Sequence, residues 1–150
     1  MNEVIIVSLM AIVVAQLLKY PIYYFKQGQR NLGIIFSTGS MPSSHTALVV
    51  AMALEVGQLA KFSSPVFGVA CIFAIITIHD AVKVRGESGK QAKIINKISI
   101  DLKAITEVLN VKLDQEERNV KLKELIGHNT NEVLVGFLVG TIVFLIYNSF

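Results

Sequence analysis

Residues 43–83 read SSHTALVVAMALEVGQLAKFSSPVFGVACIFAIITIHDAVK, and this stretch decides the fold. Two apolar runs, Ser43–Ala60 and Pro65–Ile78 with an extension to Val82, flank the short turn Lys61-Phe62-Ser63-Ser64. Glu55 is the only full charge inside the first run, and the second has none before Asp80. Two more apolar runs, Val4–Leu18, which Lys19-Tyr20-Pro21 is expected to end, and Val133–Tyr147, lie toward the chain ends. Each run is about 15–18 residues long, close to the lower limit of the roughly 17–25 residues needed to cross a bilayer. A buried hairpin in a water-soluble core is the alternative for the central pair. The polar chain left over is too short to wrap four such helices.

The reading that follows is all-α: a single membrane domain over residues 1–150, built as an integral membrane bundle of four transmembrane helices. The spans are expected at about 4–18, 43–60, 65–82 and 131–148, with a cytoplasmic helical insertion at about 86–127. Composition agrees. Apolar residues make up 53% of the chain, and most charge is confined between Lys83 and Glu124. The lone cysteine, Cys71, sits in an apolar run and reads as a small buried residue. No disulfide framework can form within the chain, and no structural zinc set is present. Met1-Asn2-Glu3 lacks a basic n-region, so the first run reads as a retained helix rather than a cleaved signal. Basic and aromatic residues do not interleave, which argues against nucleic acid as the partner of this basic chain.

Positive charge orients the spans. Of the 14 lysines and arginines, all but Lys61 fall on one side if four spans are crossed. By the positive-inside rule that side is cytoplasmic. Both termini are then expected on the outer side of the cell's inner or plasma membrane. Within the insertion, Ile94, Ile98, Leu102, Ile105 and Leu109 recur at steps of three and four, widened by Ile95. This predicts an amphipathic helix, lying at the membrane surface or packed on the bundle ends. A break is expected at Asn110–Asp114. A more charged helix should follow over Gln115–Ile126, with Glu117 and Lys121 spaced as a pair and Gly127 at its end.

On this topology the unusual polar residues meet at one level. Lys19 closes the first span, and Gly39-Ser40-Met41-Pro42-Ser43-Ser44-His45-Thr46 opens the second. His79, Asp80, Lys83 and Arg85 end the third, and Gly127-His128-Asn129-Thr130-Asn131-Glu132 opens the fourth. Pro42 suits a first helical position and the serines suit a cap. A helix start also offers N–H groups to a phosphate, and Ser43 and Ser44 add hydroxyl donors. A plain cap has no need of His45. Glu132 follows His128 by four residues and can orient its imidazole, leaving the other nitrogen as base or nucleophile. Equally, Glu132 can close a capping box with Asn129. Arg85 and Lys19 are natural phosphate ligands, though basic residues at span ends also serve as anchors. Asp80 can hold Arg85 or Lys83, and Gln16 shares a helical face with Lys19. Glu55 lies roughly 15 Å of helix beyond His45 and reads as a polar contact inside the bundle. His79 reads as structural. No metal set and no nucleotide loop emerge; Arg85-Gly86-Glu87-Ser88-Gly89-Lys90 lacks the phosphate-loop spacing.

At these residues the chain resembles the divergent branch of the type-2 phosphatidic acid phosphatase superfamily, itself related to acid phosphatases and vanadium haloperoxidases. The matching segments are Ala15–Lys19, Gly39–Ala47, Asp80–Arg85 with Gly89–Ala92, and Lys123–His128 with Glu132–Leu134. The resemblance implies a reaction without a metal or other cofactor, through a phospho-histidine. His128 resembles the nucleophile, Glu132 its orienting acid and His45 the general acid. Lys19, Ser43, Ser44 and Arg85 resemble the phosphate ligands. Three departures stand out. Arg85 is far in sequence from His128, Lys19 lacks the usual arginine-proline partner motif, and Ser44 stands where glycine is usual.

Two functions compete. One is a phosphatase that hydrolyses a lipid phosphate monoester, of the phosphatidic acid or phosphatidylglycerol phosphate type, at the cytoplasmic leaflet. The other is a non-catalytic membrane protein that binds anionic lipid head groups or acts as an assembly factor. Partners expected in either case are the lipid phosphate and membrane lipids. The sequence leaves a homo-oligomer open.

Overall fold

The computed structural model describes residues 2–28, 30–37, 40–108, 122 and 129–150. The described elements are α1 (Glu3–Gln27), a 3-10 turn (Leu32–Phe36), α2 (Ser44–Ala60), α3 (Pro65–His79), a π-helical turn (Asp80–Val84), α4 (Arg85–Val108) and α5 (Thr130–Tyr147). The all-α membrane bundle expected from the apolar runs is what is found. The expected break at Asn110–Asp114, the helix over Gln115–Ile126 and its end at Gly127 lie outside the described residues, Leu122 excepted.

Local chemistry explains most helix ends. Asn2 caps α1 by accepting from the Val4 N–H at 3.0 Å. Lys19-Tyr20-Pro21 does not stop this helix, which runs through Pro21 to Gln27. Proline removes one N–H from the ladder, a loss that packing neighbours make tolerable in membrane helices. Gly28, in the left-handed conformation at φ 66°, ends α1 and donates its N–H to the Tyr24 carbonyl at 2.8 Å. Ser64 caps α3 through the Phe67 N–H at 3.2 Å, with Pro65 at the first position. Pro42 does not occupy that position in α2, because Ser43 is the cap and Pro42 stands ahead of it. Ser43 takes the cap because its hydroxyl can accept from the N–H three residues on, which proline has no means to do.

Three helices, α1, the one that begins at Pro65, and α5, are long and apolar enough to cross a membrane. With 17 residues α2 is shorter, a rise of about 25 Å. Leu9, Val13 and Leu17 of α1, Val69, Phe73 and Ile76 of α3, and Leu134, Leu138 and Leu145 of α5 are all more than half exposed. Such rows are the surface a bilayer covers.

The interior is built from small residues. Val7, Ala11 and Ala15 of α1 meet Ala47 and Ala51 of α2 and Val139, Val143 and Phe144 of α5. On the other side of α2, Val49 and Ala53 meet Ala70 and Ala74 of α3. The tightest approach is between α2 and α5. A Cβ built on Gly136 would fall 2.4 Å from the Ser43 carbonyl oxygen, and one on Gly140 would fall 2.5 Å from that of Ala47. Apolar burial drives little between helices already in lipid, so close packing of this kind holds them together. Gly136 lies beside Ser43, Gly140 beside Ala47 and Asn148 beside Glu55, so α2 and α5 run parallel from one end. Glu55 is fully buried and accepts from the Asn148 amide at 2.8 Å through Oε2, while its Oε1 has no hydrogen-bond partner among the described residues. The expected intrabundle contact is therefore present for one oxygen.

Replacing Gly136 by alanine should force α5 away from α2 and lower stability by about 1–3 kcal/mol. Gly68, whose missing Cβ would meet nothing within 4 Å, should accept alanine with no loss. Thermal unfolding of the two variants in the same detergent checks the contrast.

Candidate functional site

The start of α2 is a buried set of hydroxyls. Ser43, Ser44 and Thr46 are 0%, 3% and 0% exposed. Thr46 donates its hydroxyl to Ser43 Oγ at 2.9 Å, and its N–H points at the same oxygen at 3.4 Å. His45, between them, is half-buried. Buried polar groups at an otherwise apolar helix start need a local reason. Here the Ser43 N–H is taken by the Glu132 carbonyl at 2.9 Å, which ties the start of α2 to the first turn of α5.

Lys19 completes this corner from α1. It is 1% exposed, and its ammonium donates to the Ser37 carbonyl at 2.5 Å. It also lies close enough to Glu132 to interact electrostatically. A lysine held in that way is no interfacial anchor, since an anchor keeps its head in water. The Ser37 carbonyl is presented by a short loop in which the Ser37 hydroxyl bonds the Ile34 carbonyl and the Ser40 hydroxyl, both at 2.7 Å.

Glu132 closes the capping box expected as one of its two roles: its Oε2 accepts from the Asn129 N–H at 3.2 Å. The proposed nucleophile His128, like Gly39, lies outside the described residues, so the orienting role of Glu132 has no geometry to report. Gln16, one turn from Lys19, has its Oε1 buried without a hydrogen-bond partner among the described residues.

Arg85 and Asp80 form a pair of their own. The Arg85 Nε donates to Asp80 Oδ2 at 2.9 Å, with both side chains about two-fifths exposed. The π turn makes this pair. In an α-helix, residues five apart point in different directions. Here the Arg85 N–H bonds the Asp80 carbonyl, and that wider turn aligns their side chains. Among the described residues no hydrogen bond joins Arg85 to Lys19, Ser43 or Glu132. His79 is exposed.

The structure thus brings Lys19, Ser43, Ser44 and Glu132 into one corner with His45 beside them. It adds Thr46, Ser37 and Gly136, which sequence reasoning did not single out. Thr46 was detectable as a hydroxyl three residues after the cap. Gly136 was detectable from the Gly136-x-x-x-Gly140 spacing within an apolar run. Ser37 has no local signal, because its function there comes from a carbonyl.

A helical membrane bundle with buried hydroxyls, a lysine and a carboxylate gathered at its helix starts defines the class. The chain belongs to the Divergent PAP2 family, whose model matches residues 1–143. It is 39% identical to the uncharacterized membrane protein YuiD of Bacillus subtilis (strain 168), over 99% of this chain and 96% of that one. No solved structure matches it.

Ser43→Ala removes a cap and a buried hydroxyl together. It should cost about 1 kcal/mol of stability and weaken binding of inorganic phosphate or vanadate. Ser64→Ala, which uncaps α3 away from this corner, should cost a similar stability and leave anion binding unchanged. Melting curves and titration calorimetry on both variants separate the two roles.

Proposed function

We propose that this protein hydrolyses a lipid phosphate monoester, of the phosphatidic acid or phosphatidylglycerol phosphate type, without a metal and through a phospho-histidine. The observation that carries the reading is the buried hydroxyl set capping α2, with buried Lys19 linked to it through Glu132, whose carbonyl takes the Ser43 N–H. A phosphate oxygen needs donors of that kind, and the low-polarity surroundings strengthen each of them. Family membership supports the same class of chemistry.

The steps are those that the resemblance to the superfamily implies for these residues. His128, next in sequence to the cap of α5, attacks phosphorus and forms a P–N bond. The bond from phosphorus to the alcohol oxygen breaks, and His45 gives that oxygen its proton. Water then attacks the phospho-histidine, His45 takes a proton from it, and phosphate leaves with His128 restored. Lys19, Ser43 and Ser44 hold the phosphoryl oxygens throughout. Arg85, fixed by Asp80, is assigned to the same anion from the span-three side. Four passes with the corner facing the cytoplasm, and both termini outside, suit a substrate made on the inner leaflet.

Purified protein in mixed micelles should release phosphate from at least one such lipid in the presence of a chelator. His128→Ala and His45→Ala should each lower the rate by a factor of 100 or more, on the order expected for lost nucleophilic or acid–base groups, and vanadate should inhibit. Unchanged turnover in His128→Ala would sink the mechanism. Phosphate binding with no turnover on any lipid would favour the non-catalytic, head-group-binding alternative.

Sidedness has a separate check. Lys61→Cys should react with an impermeant thiol reagent from outside intact cells, and Lys97→Cys only after the membrane is opened. The reverse pattern would place the corner on the outer leaflet.

A further inference from the structure

We propose that the isoleucine–leucine stripe of α4 is a docking surface for the anionic lipid head-group layer around the bundle. The sequence left this helix two places, the membrane surface or the bundle ends. The described contacts remove the second, since α4 packs on the π turn from which it grows and on no other described helix to any extent. Among the described residues, Leu122 reaches it from later in the chain. The Asn96 amide donates to the Leu122 carbonyl at 2.9 Å and accepts its N–H at 3.0 Å. This contact falls on the covered edge of α4, formed by Gly89, Ala92 and Asn96. The apolar stripe is on the other edge: Ile94, Ile95, Ile98, Leu102 and Ile105 are each about half exposed. Leu122 therefore meets α4 away from the apolar edge.

Two observations say what covers it. The first is continuity with the membrane face of the preceding span. The covered edge runs from Ala70, Ala74 and Ala81 into Gly89, Ala92 and Asn96 across the π turn, at spacings of four, seven, eight, three and four residues, each close to a whole number of helical turns. The exposed apolar edge of α4 accordingly carries on the side of α3 that bears Val69, Phe73 and Ile76. A helix leaning over at the π turn, a recognised bending point, would bring the stripe onto the bilayer and not onto the bundle. The second is charge. Lys90, Lys93 and Lys97 form an exposed row beside the stripe, and the exposed carboxylates described on this helix are Glu87 and Asp101. Lys90 shares its charge with Glu87 at 2.7 Å, while Lys93 and Lys97 make no ion pair with a described residue. An apolar stripe edged by lysines matches acyl chains beneath anionic head groups.

The test uses the full chain, with Cys71→Ser, in vesicles whose acyl chains are brominated. A fluorophore on Ile98→Cys should be quenched several-fold more in phosphatidylglycerol-containing vesicles than in pure phosphatidylcholine, and high salt should reduce the difference. A fluorophore on Phe73→Cys, in the span, should be quenched in both and reports insertion. With Phe73→Cys quenched, lysine-to-glutamine changes at Lys90, Lys93 and Lys97 together should weaken the Ile98 contact, on the order of 100-fold in partitioning. An Ile98 fluorophore that stays unquenched while Phe73→Cys is quenched overturns the proposal. So does efficient disulfide pairing of Ile98→Cys between chains, which would make a second copy the occupant. None of these readouts depends on turnover, so the docking surface and the phosphatase reading stand or fall separately.

Discussion

The contact between α2 and α5 is the constraint on which the remaining structure depends. In lipid there is little reward for bringing apolar helices together, because the tails are as apolar as the side chains. What holds two helices is the number of atoms that meet at van der Waals distance and any hydrogen bond they share. Gly136 and Gly140 supply the first by letting the backbone of α5 rest on the Ser43 and Ala47 carbonyls. Ser43 and Glu132 supply the second at one end of the pair, and Glu55 and Asn148 at the other. Bonds at both ends with glycines between leave the pair little freedom to slide.

That register is also what makes a site. Because α5 starts level with the start of α2, the carboxylate of Glu132 comes within electrostatic reach of a buried lysine from a third helix. Lys19 could not be buried alone, since an unpaired ammonium in an apolar interior is costly. The Ser37 carbonyl and the Glu132 carboxylate make its burial tolerable, and its charge is then fixed beside the α2 cap. The hydroxyls there are too many for capping alone. One of them, Ser43 Oγ, answers the Thr46 N–H, while Ser44 and Thr46 are buried in addition.

The junction of α3 and α4 solves a different problem. It must end a membrane helix and begin a charged one without a break. The π turn does this by inserting a wider coil in which Asp80 and Arg85 face each other. An ion pair at that point satisfies the arginine where the chain leaves the apolar layer. Along this helix two faces have different surroundings, one turned to the bundle and to Leu122, the other left apolar and exposed.

Much of this was legible in the residues. Apolar runs of spanning length decide the helical class, because a backbone in lipid must bond to itself. Ser43 as a helix start, Glu132 as a box partner of Asn129 and Asp80 as a holder of Arg85 were readable because each depends on neighbours within five residues. Pro21 was misleading as a stop, and Pro42 as a first helical residue, since tertiary packing and the competing Ser43 cap decide those positions. The burial of Lys19, its bond to the Ser37 carbonyl and the seating of Gly136 on Ser43 had no local signature. Each joins residues far apart in sequence, and distance along the chain carries no information about a carbonyl's direction. The sequence by itself therefore determined that this is a helical membrane protein with polar residues collected at its helix starts. Only the tertiary structure decided which of those residues share a corner, because that depends on how closely α5 can approach α2.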